Sequence, residues 1–134
     1  MELTIIFPVL NEKKRLESGV TRTVEYLRKI DFSDYEIIIV DNGSTDETPQ
    51  IAKRLCQKYR TVKFERINVR GVGAAFRRGV EVSHGEIVGY MDIDLSTNIK
   101  DLGEAIHIFE RNPEIEYING SRFARESDTK GRKW

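Results

Sequence analysis

Residues 36–44 read Glu36-Ile37-Ile38-Ile39-Val40-Asp41-Asn42-Gly43-Ser44, an aliphatic run that ends in a polar turn. A strand in which every residue from 37 to 40 is Ile or Val has two apolar faces, which is typical of a parallel sheet with helices packed on both sides. Asp, Asn, Gly and Ser favour a tight turn after such a strand. The stretch therefore predicts a buried strand of an α/β domain, with polar side chains at its end.

Apolar segments of strand length alternate with segments of helical period on both sides of this stretch. Strands are predicted at residues 3–7, 36–40, 62–67, 86–91 and 115–118. Helices are predicted at residues 16–29, 48–59, 74–82 and 99–110, with Thr48 as the N-cap of the second helix and Pro49 in its first turn. This order predicts an α/β fold with a mostly parallel, Rossmann-like sheet and helices on both faces.

The composition fits one ordinary domain. The 134 residues suffice for a single core, and 22 basic and 22 acidic side chains cancel, which argues against a polyanion partner such as nucleic acid. Cys56 is the single cysteine, so we expect a half-buried, structural residue and neither an internal disulfide nor a cysteine-rich zinc site. No apolar stretch reaches the roughly 20 residues that span a bilayer, and the N-terminus lacks a signal-peptide pattern, so we expect a cytoplasmic location.

Two aspartates separated by one residue follow the predicted fourth strand, in the sequence Gly89-Tyr90-Met91-Asp92-Ile93-Asp94-Leu95-Ser96. Mg²⁺ and Mn²⁺ prefer oxygen ligands, and Mg²⁺ is usually held by one or two carboxylates together with substrate phosphates. Asp92 and Asp94 therefore predict a metal–diphosphate site. Because so short a pattern also arises where acidic residues simply solvate a turn, the motif alone leaves that alternative open.

Polar residues follow four predicted strands. They lie in residues 8–12, 41–46, 68–73 and 92–94. Ligands of open parallel sheets bind outside the carboxyl ends of the strands, so these segments predict one cleft. Asp41 can accept hydrogen bonds from a base or ribose there, or it can be a carboxylate that serves only its own turn.

The glycine-containing loop at residues 68–73 precedes a predicted helix. Gly71 and Gly73 can bring backbone N–H groups close to a phosphate or sugar at the helix N-terminus. The loop lacks both the third small residue of a dinucleotide fingerprint and the Gly-Lys-Ser/Thr of a P-loop. The arginines near it are either phosphate ligands or solvated helix residues, and the two histidines are expected to be structural; these residues are Arg70, Arg77, Arg78, His84 and His107.

Five motifs in this order resemble those of glycosyltransferase family 2, and most of all its dolichyl-phosphate mannose and glucose synthase branch. They are Pro8-Val9-Leu10-Asn11-Glu12, Val40-Asp41-Asn42-Gly43-Ser44-Thr45-Asp46-Glu47-Thr48, Asn68-Val69-Arg70-Gly71-Val72-Gly73-Ala74-Ala75, Asp92-Ile93-Asp94-Leu95-Ser96 and Gly120-Ser121-Arg122-Phe123. The resemblance spans residues 3–123. It implies a GT-A fold, a nucleotide-diphosphate-sugar donor of the GDP-mannose or UDP-glucose type, a Mg²⁺ or Mn²⁺ ion, and sugar transfer with inversion.

The resemblance also implies roles for single residues. Asp94 would be the firmer metal ligand, Asp92 would lie near the metal and the ribose or sugar, and Arg122 would face the phosphate of a lipid acceptor. Asn42 stands where the family more often has aspartate, which leaves the base specificity open. The residues that would bind the nucleotide sugar are Pro8, Asn11, Glu12, Asp41, Asn42, Ser44, Asp46, Arg70, Gly71, Gly73 and Asp92, with Asp46 supporting the loop of Asp41.

The resemblance divides the chain into a nucleotide-sugar-binding GT-A part, residues 1–123, and a polar tail, residues 124–134, that is flexible or truncated. Family members usually continue with acceptor-binding and membrane-associating elements, so we expect a catalytic domain that extends further and touches the cytoplasmic face of a membrane peripherally. The acceptor is then a polyprenyl or dolichyl phosphate, or a saccharide hydroxyl that needs a general base. Glu126 and Asp128 are the candidates for that base.

Two other functions fit parts of the sequence. One is a nucleotide-sugar-binding module without turnover. The other is a phospho-acceptor signalling domain, which would need an acidic cluster where the first strand ends in Phe7-Pro8. The sequence does not indicate an oligomeric state.

Overall fold

Strands and helices alternate along the chain in the computed structural model, which describes residues 2–94, 99–114 and 123–125. The elements are β1 (Leu3–Val9), α1 (Leu16–Lys29), β2 (Tyr35–Asp41), α2 (Thr48–Lys58), β3 (Val62–Arg66), α3 (Val72–Val82), β4 (Ile87–Tyr90), α4 (Lys100–Arg111) and β5 (Phe123–Arg125). Within these described ranges, no helix is long and apolar enough to cross a membrane.

The strands form one sheet in the order β3-β2-β1-β4-β5. The pairs β1–β2, β1–β4 and β2–β3 are parallel, and only β5 runs antiparallel, beside β4. The predicted α/β fold with a mostly parallel sheet is therefore confirmed.

Helices cover both faces of the sheet, as the Ile/Val run of β2 predicted. Ile37 and Ile39 point into a core shared with α1, α2 and α4, whereas Ile38 and Val40 point into a second core beneath α3. All four side chains are fully buried. Cys56 is half-buried against the larger core, as expected, and burial raises the pKa of its thiol.

Two local predictions were wrong. Pro8 lies inside β1 and does not end it, because β4 pairs with β1 only as far as Ile6 and Tyr90. Beyond that point β1 has an open side, where a residue without an N–H is tolerated. Thr48 is the first helical residue of α2 and not its N-cap, because its hydroxyl bonds to Asp46 Oδ1 at 2.5 Å.

The last described strand, β5, lies at residues 123–125, where the predicted GT-A part meets the predicted tail. The division of the chain into these two parts stays a prediction. The strand predicted at residues 115–118 and the remainder of the predicted tail, residues 126–134, lie outside the described residues.

Glu36 connects several segments at the edge of the sheet where the strands begin. Its carboxylate is 3% exposed and accepts hydrogen bonds from Thr4 Oγ1 at 2.7 Å, Lys63 Nζ at 2.6 Å and the backbone N–H of His84. Burial by itself would raise the pKa of Glu36, but these donors and the charge of Lys63 outweigh burial and lower it.

This lowered pKa makes stability depend on pH. Ionised Glu36 stabilises the fold fully above the ordinary value of 4.5, and this contribution is lost as the pH falls through the lower pKa of the folded state. We expect the urea midpoint of the wild type to fall between about pH 5 and pH 3 and that of Glu36→Gln to change less. The control, Glu65→Gln, removes a less buried carboxylate from β3, and its urea midpoint should depend on pH as that of the wild type does. If the midpoints of all three proteins depend on pH in the same way, Glu36 is not the group responsible.

Candidate functional site

The carboxyl ends of the parallel strands lie side by side. Val9 is the register partner of Asp41, and Asp41 is the register partner of Arg66. The segments that follow β1, β2 and β3 therefore leave the sheet at one edge, and Asp92 follows β4 at the same edge. The strand ends therefore lie together as predicted, whereas a ligand cleft between them stays a prediction.

Asn11 joins the loop after β1 to the loop after β2. Its Oδ1 accepts the backbone N–H groups of Thr45 at 2.8 Å and Asp46 at 3.3 Å, and its own N–H donates to Ser44 Oγ at 2.8 Å. Asn11 has a positive φ of 53°, which asparagine tolerates better than most residues. The amide oxygen of Asn11 is thus used to hold the two loops together.

Three aspartates, in the loops after β2 and β4, lie close enough to Glu12 to influence its pKa. Burial is the largest cause that raises the pKa of Glu12, and the negative charges of Asp94, Asp46 and Asp92 raise it further, against the lowering effect of Arg15. Charges influence one another in this way only when they are close, so the three loops share one acidic neighbourhood. The backbone of this region is held by Glu12 N–H, which donates to Thr48 Oγ1 at 2.9 Å.

Asp41 is fully buried and uses its two oxygens differently. Oδ1 accepts the backbone N–H of Ser44 at 3.2 Å and the Ser44 hydroxyl, so one oxygen serves the turn. Oδ2 accepts no hydrogen bond from the residues that the structure describes and lies 3.5 Å from Arg66 Nε. Since buried carboxylate oxygens are nearly always hydrogen-bonded, Oδ2 is an acceptor that a ligand N–H or O–H can satisfy.

Arg66 was missed by the sequence analysis. Its guanidinium also donates from Nη2 to the backbone oxygen of Ser44 at 3.1 Å, and the side chain is 51% exposed. The one signal was its position at the end of the third predicted strand. Arg78, which was considered for phosphate binding, pairs with Glu65 and Glu81 instead.

The glycine loop lies against the end of β2. Asn42 Nδ2 donates to the backbone oxygen of Gly71 at 2.9 Å, and Gly71 has a φ of 117° at the N-cap of α3. Arg70 is exposed and Gly73 is half-buried.

The Asp92-Ile93-Asp94 segment is anchored by its middle residue. Ile93 is 2% exposed and packs against Gly19 of α1, while Asp92 is half-buried and Asp94 is exposed. No group of three or more His, Cys, Asp or Glu side chains among the described residues is placed to hold a metal by itself. An all-oxygen pair does fit Mg²⁺ or Mn²⁺ shared with a diphosphate.

The two histidines, predicted to be structural, lie away from these strand ends. His84 is beside Glu36, at the opposite edge of the sheet, and His107 is exposed on α4. Arg122 lies outside the described residues. Pro8 is half-buried in β1, two residues after the last residue of β1 that pairs with β4.

Comparison with protein families matches residues 4–134 to glycosyl transferase family 2. A dolichyl-phosphate beta-glucosyltransferase of Mus musculus is 38% identical over 108 residues, which cover 75% of this chain and 33% of that protein. A dolichol-phosphate mannosyltransferase of Pyrococcus furiosus is 29% identical over 125 residues, which cover 93% of this chain and 34% of that protein. The chain thus spans about a third of the length of these relatives.

A solved structure shows the same fold. The mannosyltransferase PcManGT from Pyrobaculum calidifontis, in complex with GDP-Man and Mn²⁺, superposes with a TM-score of 0.66 and 26% identity. The alignment covers 81% of this chain and 32% of that one. The mostly parallel sheet with its helices is therefore a GT-A sheet.

Proposed function

The chain belongs to glycosyltransferase family 2, and from this premise we propose that it is the donor-binding part of a metal-dependent, inverting hexosyltransferase. The observation that carries the proposal is the convergence of strand ends on one edge. There the acidic neighbourhood of Glu12, Asp92 and Asp94 accompanies buried Asp41, whose Oδ2 faces Arg66 and accepts no hydrogen bond from the described residues. In a nucleotide-diphosphate sugar, the diphosphate would bind a metal ion in the acidic neighbourhood, and the nucleoside would bind Asp41.

Asp41 would bind the nucleoside. Its Oδ2 can accept an N–H of the base or an O–H of the ribose, and Arg66 at 3.5 Å would keep that oxygen oriented. Guanine and uracil nucleotides both present such N–H and O–H groups, so this contact is compatible with a sugar donor of the GDP-mannose or UDP-glucose type. The complex of PcManGT with GDP-Man supports a nucleotide sugar in this fold.

Asp92 and Asp94 would hold Mg²⁺ or Mn²⁺. The ion, when bound, stabilises the negative charge that develops on the departing diphosphate without proton transfer. The chain's own contribution is to hold the two carboxylates in place through buried Ile93 and to present the backbone N–H groups at the start of α3 to the phosphates.

The acceptor we propose is a polyprenyl or dolichyl phosphate. The two dolichyl- and dolichol-phosphate transferases support this choice. A lipid phosphate is already ionised, so it attacks the anomeric carbon without a strong general base, and Arg122 would position it. A saccharide hydroxyl would need a base. Peripheral membrane contact and a cytoplasmic location remain predictions from the sequence.

Calorimetric titration tests the donor site. We expect UDP or GDP to bind the purified chain with Mn²⁺ present and to bind far more weakly without it. The nucleotide that binds identifies the base. Binding of neither nucleotide would contradict the proposal, whereas donor binding without transfer to dolichyl phosphate, even in a chain extended at its C-terminus, would favour a module without turnover.

A further inference from the structure

We propose that Asn42 is a positioning residue for the nucleotide-sugar donor. Its side-chain amide holds the backbone oxygen of Gly71 and so places the glycine loop and the first turn of α3 against the end of β2. This inference rests on the proposed function and deepens it, because it concerns how the diphosphate-facing end of α3 is set.

The contact is well defined. Asn42 is 7% exposed, and its Nδ2 lies 2.9 Å from Gly71 O. A carbonyl oxygen can only accept, so the side-chain group that faces it must be the amide NH₂. Gly71 O also accepts the N–H of Ala75 at 3.2 Å, the first hydrogen bond of α3. Gly71 O therefore accepts both the Asn42 amide and the first hydrogen bond of the helix.

The loop before α3 is exposed, and burial of the helix begins only at Ala75 and Phe76. Val69 and Val72, on either side of Gly71, are 66% and 58% exposed, so the loop gains little from burial. Gly71 has a φ of 117°, a conformation that costs glycine entropy and that other residues rarely adopt. No side chain in the described part of the chain caps the N-terminus of α3. The middle of the helix is fixed differently, because Gly79 packs directly against Ile6 of β1.

The chemistry explains why this position carries an amide. The first N–H groups of a helix without a side-chain cap are donors for an anion, and their direction follows the position of the loop. An aspartate at residue 42 would turn a carboxylate oxygen towards the Gly71 carbonyl and could not donate to it. Asn42 Oδ1, which has no hydrogen-bond partner in the described part of the chain, adds a second buried acceptor next to Asp41 in sequence.

The test compares Asn42→Leu with Asn112→Leu. Leucine matches asparagine in size and carries no donor or charge. Asn112 Nδ2 likewise donates to a backbone oxygen, that of Ile108 at 3.0 Å, at the end of α4, so its variant is the matched control. In Asn42→Leu we expect amide hydrogen exchange at Ala75, whose N–H bonds to Gly71 O, to accelerate about tenfold while α1 is unchanged. We also expect the Kd for Mn²⁺ and the binding nucleotide, UDP or GDP, to rise about tenfold. Asn112→Leu should change neither.

Asn42→Asp keeps the shape, removes the donor and adds a negative charge next to buried Asp41, so Ala75 should exchange at least as fast as in Asn42→Leu. If amide hydrogen exchange in either Asn42 variant equals that of the wild type, Asn42 does not hold the glycine loop. Faster exchange with unchanged Kd would overturn the role in donor positioning. If the wild type itself binds neither nucleotide, the proposed function fails and the positioning role fails with it, while the exchange data still decide whether Asn42 holds the loop.

Discussion

Replacing Asp94 with alanine should abolish Mn²⁺-dependent nucleotide binding, with a loss of more than about 100-fold in affinity. Asp94 is the more exposed member of the pair, and buried Ile93 before it holds its backbone in place. The remaining affinity, measured by calorimetry, should equal that of the wild type without metal. Asp94→Asn should behave similarly, because an amide is a weaker ligand for a hard cation.

Unfolding cannot account for such a loss. Asp94 lies in an acidic neighbourhood that raises the pKa of Glu12, so removing its charge relieves repulsion. The melting temperature of Asp94→Ala should therefore be unchanged or slightly higher. Glu25→Ala removes an equal charge from the exposed face of α1 and should leave binding intact. Equal metal-dependent affinity in Asp94→Ala and Glu25→Ala would show that Asp94 does not hold the ion.

Replacing Gly19 with alanine should destabilise the protein by about 1–3 kcal/mol, the usual range for overpacking a core. At an ordinary site within a helix the same change stabilises by about 1 kcal/mol. The sign reverses here because a Cβ on Gly19 would lie 2.3 Å from the backbone oxygen of Ile93 and 2.8 Å from its Cδ1. Relief requires α1 and the Asp92–Asp94 segment to separate, so metal-dependent nucleotide affinity should fall with stability.

Gly103→Ala is the matched control in α4. Its Cβ would meet the Tyr26 hydroxyl at 2.1 Å, but that group is the far end of a side chain that can rotate away. Urea unfolding should show Gly103→Ala to be as stable as the wild type or more stable. If Gly19→Ala matches Gly103→Ala in both stability and nucleotide affinity, then packing of Ile93 against Gly19 does not hold the aspartate pair in place.

The parts of the fold that could be predicted were those that depend on the local sequence. The Ile/Val run of β2 indicated two covered faces, and the structure places Ile37 and Ile38 in separate cores. The Asp-x-Asp pattern was predicted at the end of the fourth strand, and Asp92 does follow β4. Such features depend on neighbours within a few residues, so periodicity and turn chemistry reveal them.

The contacts that build the site could not be predicted in this way. Arg66 pairs with Asp41, Asn42 Nδ2 donates to Gly71 O, and Ile93 packs against Gly19. Each contact joins residues that are far apart in the sequence. Thr48 is a further example. Its hydroxyl accepts the Glu12 N–H and donates to Asp46 Oδ1, so it does not cap α2 as predicted.

Periodicity and local motifs were enough to predict the fold class, the strand ends that carry polar residues, and the family. The tertiary structure alone decided which of those residues meet, through the strand order β3-β2-β1-β4-β5 and the pairing of Val9 with Asp41 and of Asp41 with Arg66. The physical reason is that periodicity reports which face of an element is apolar, whereas contacts between residues far apart in the chain depend on order and register. Those are set only when the whole sheet packs.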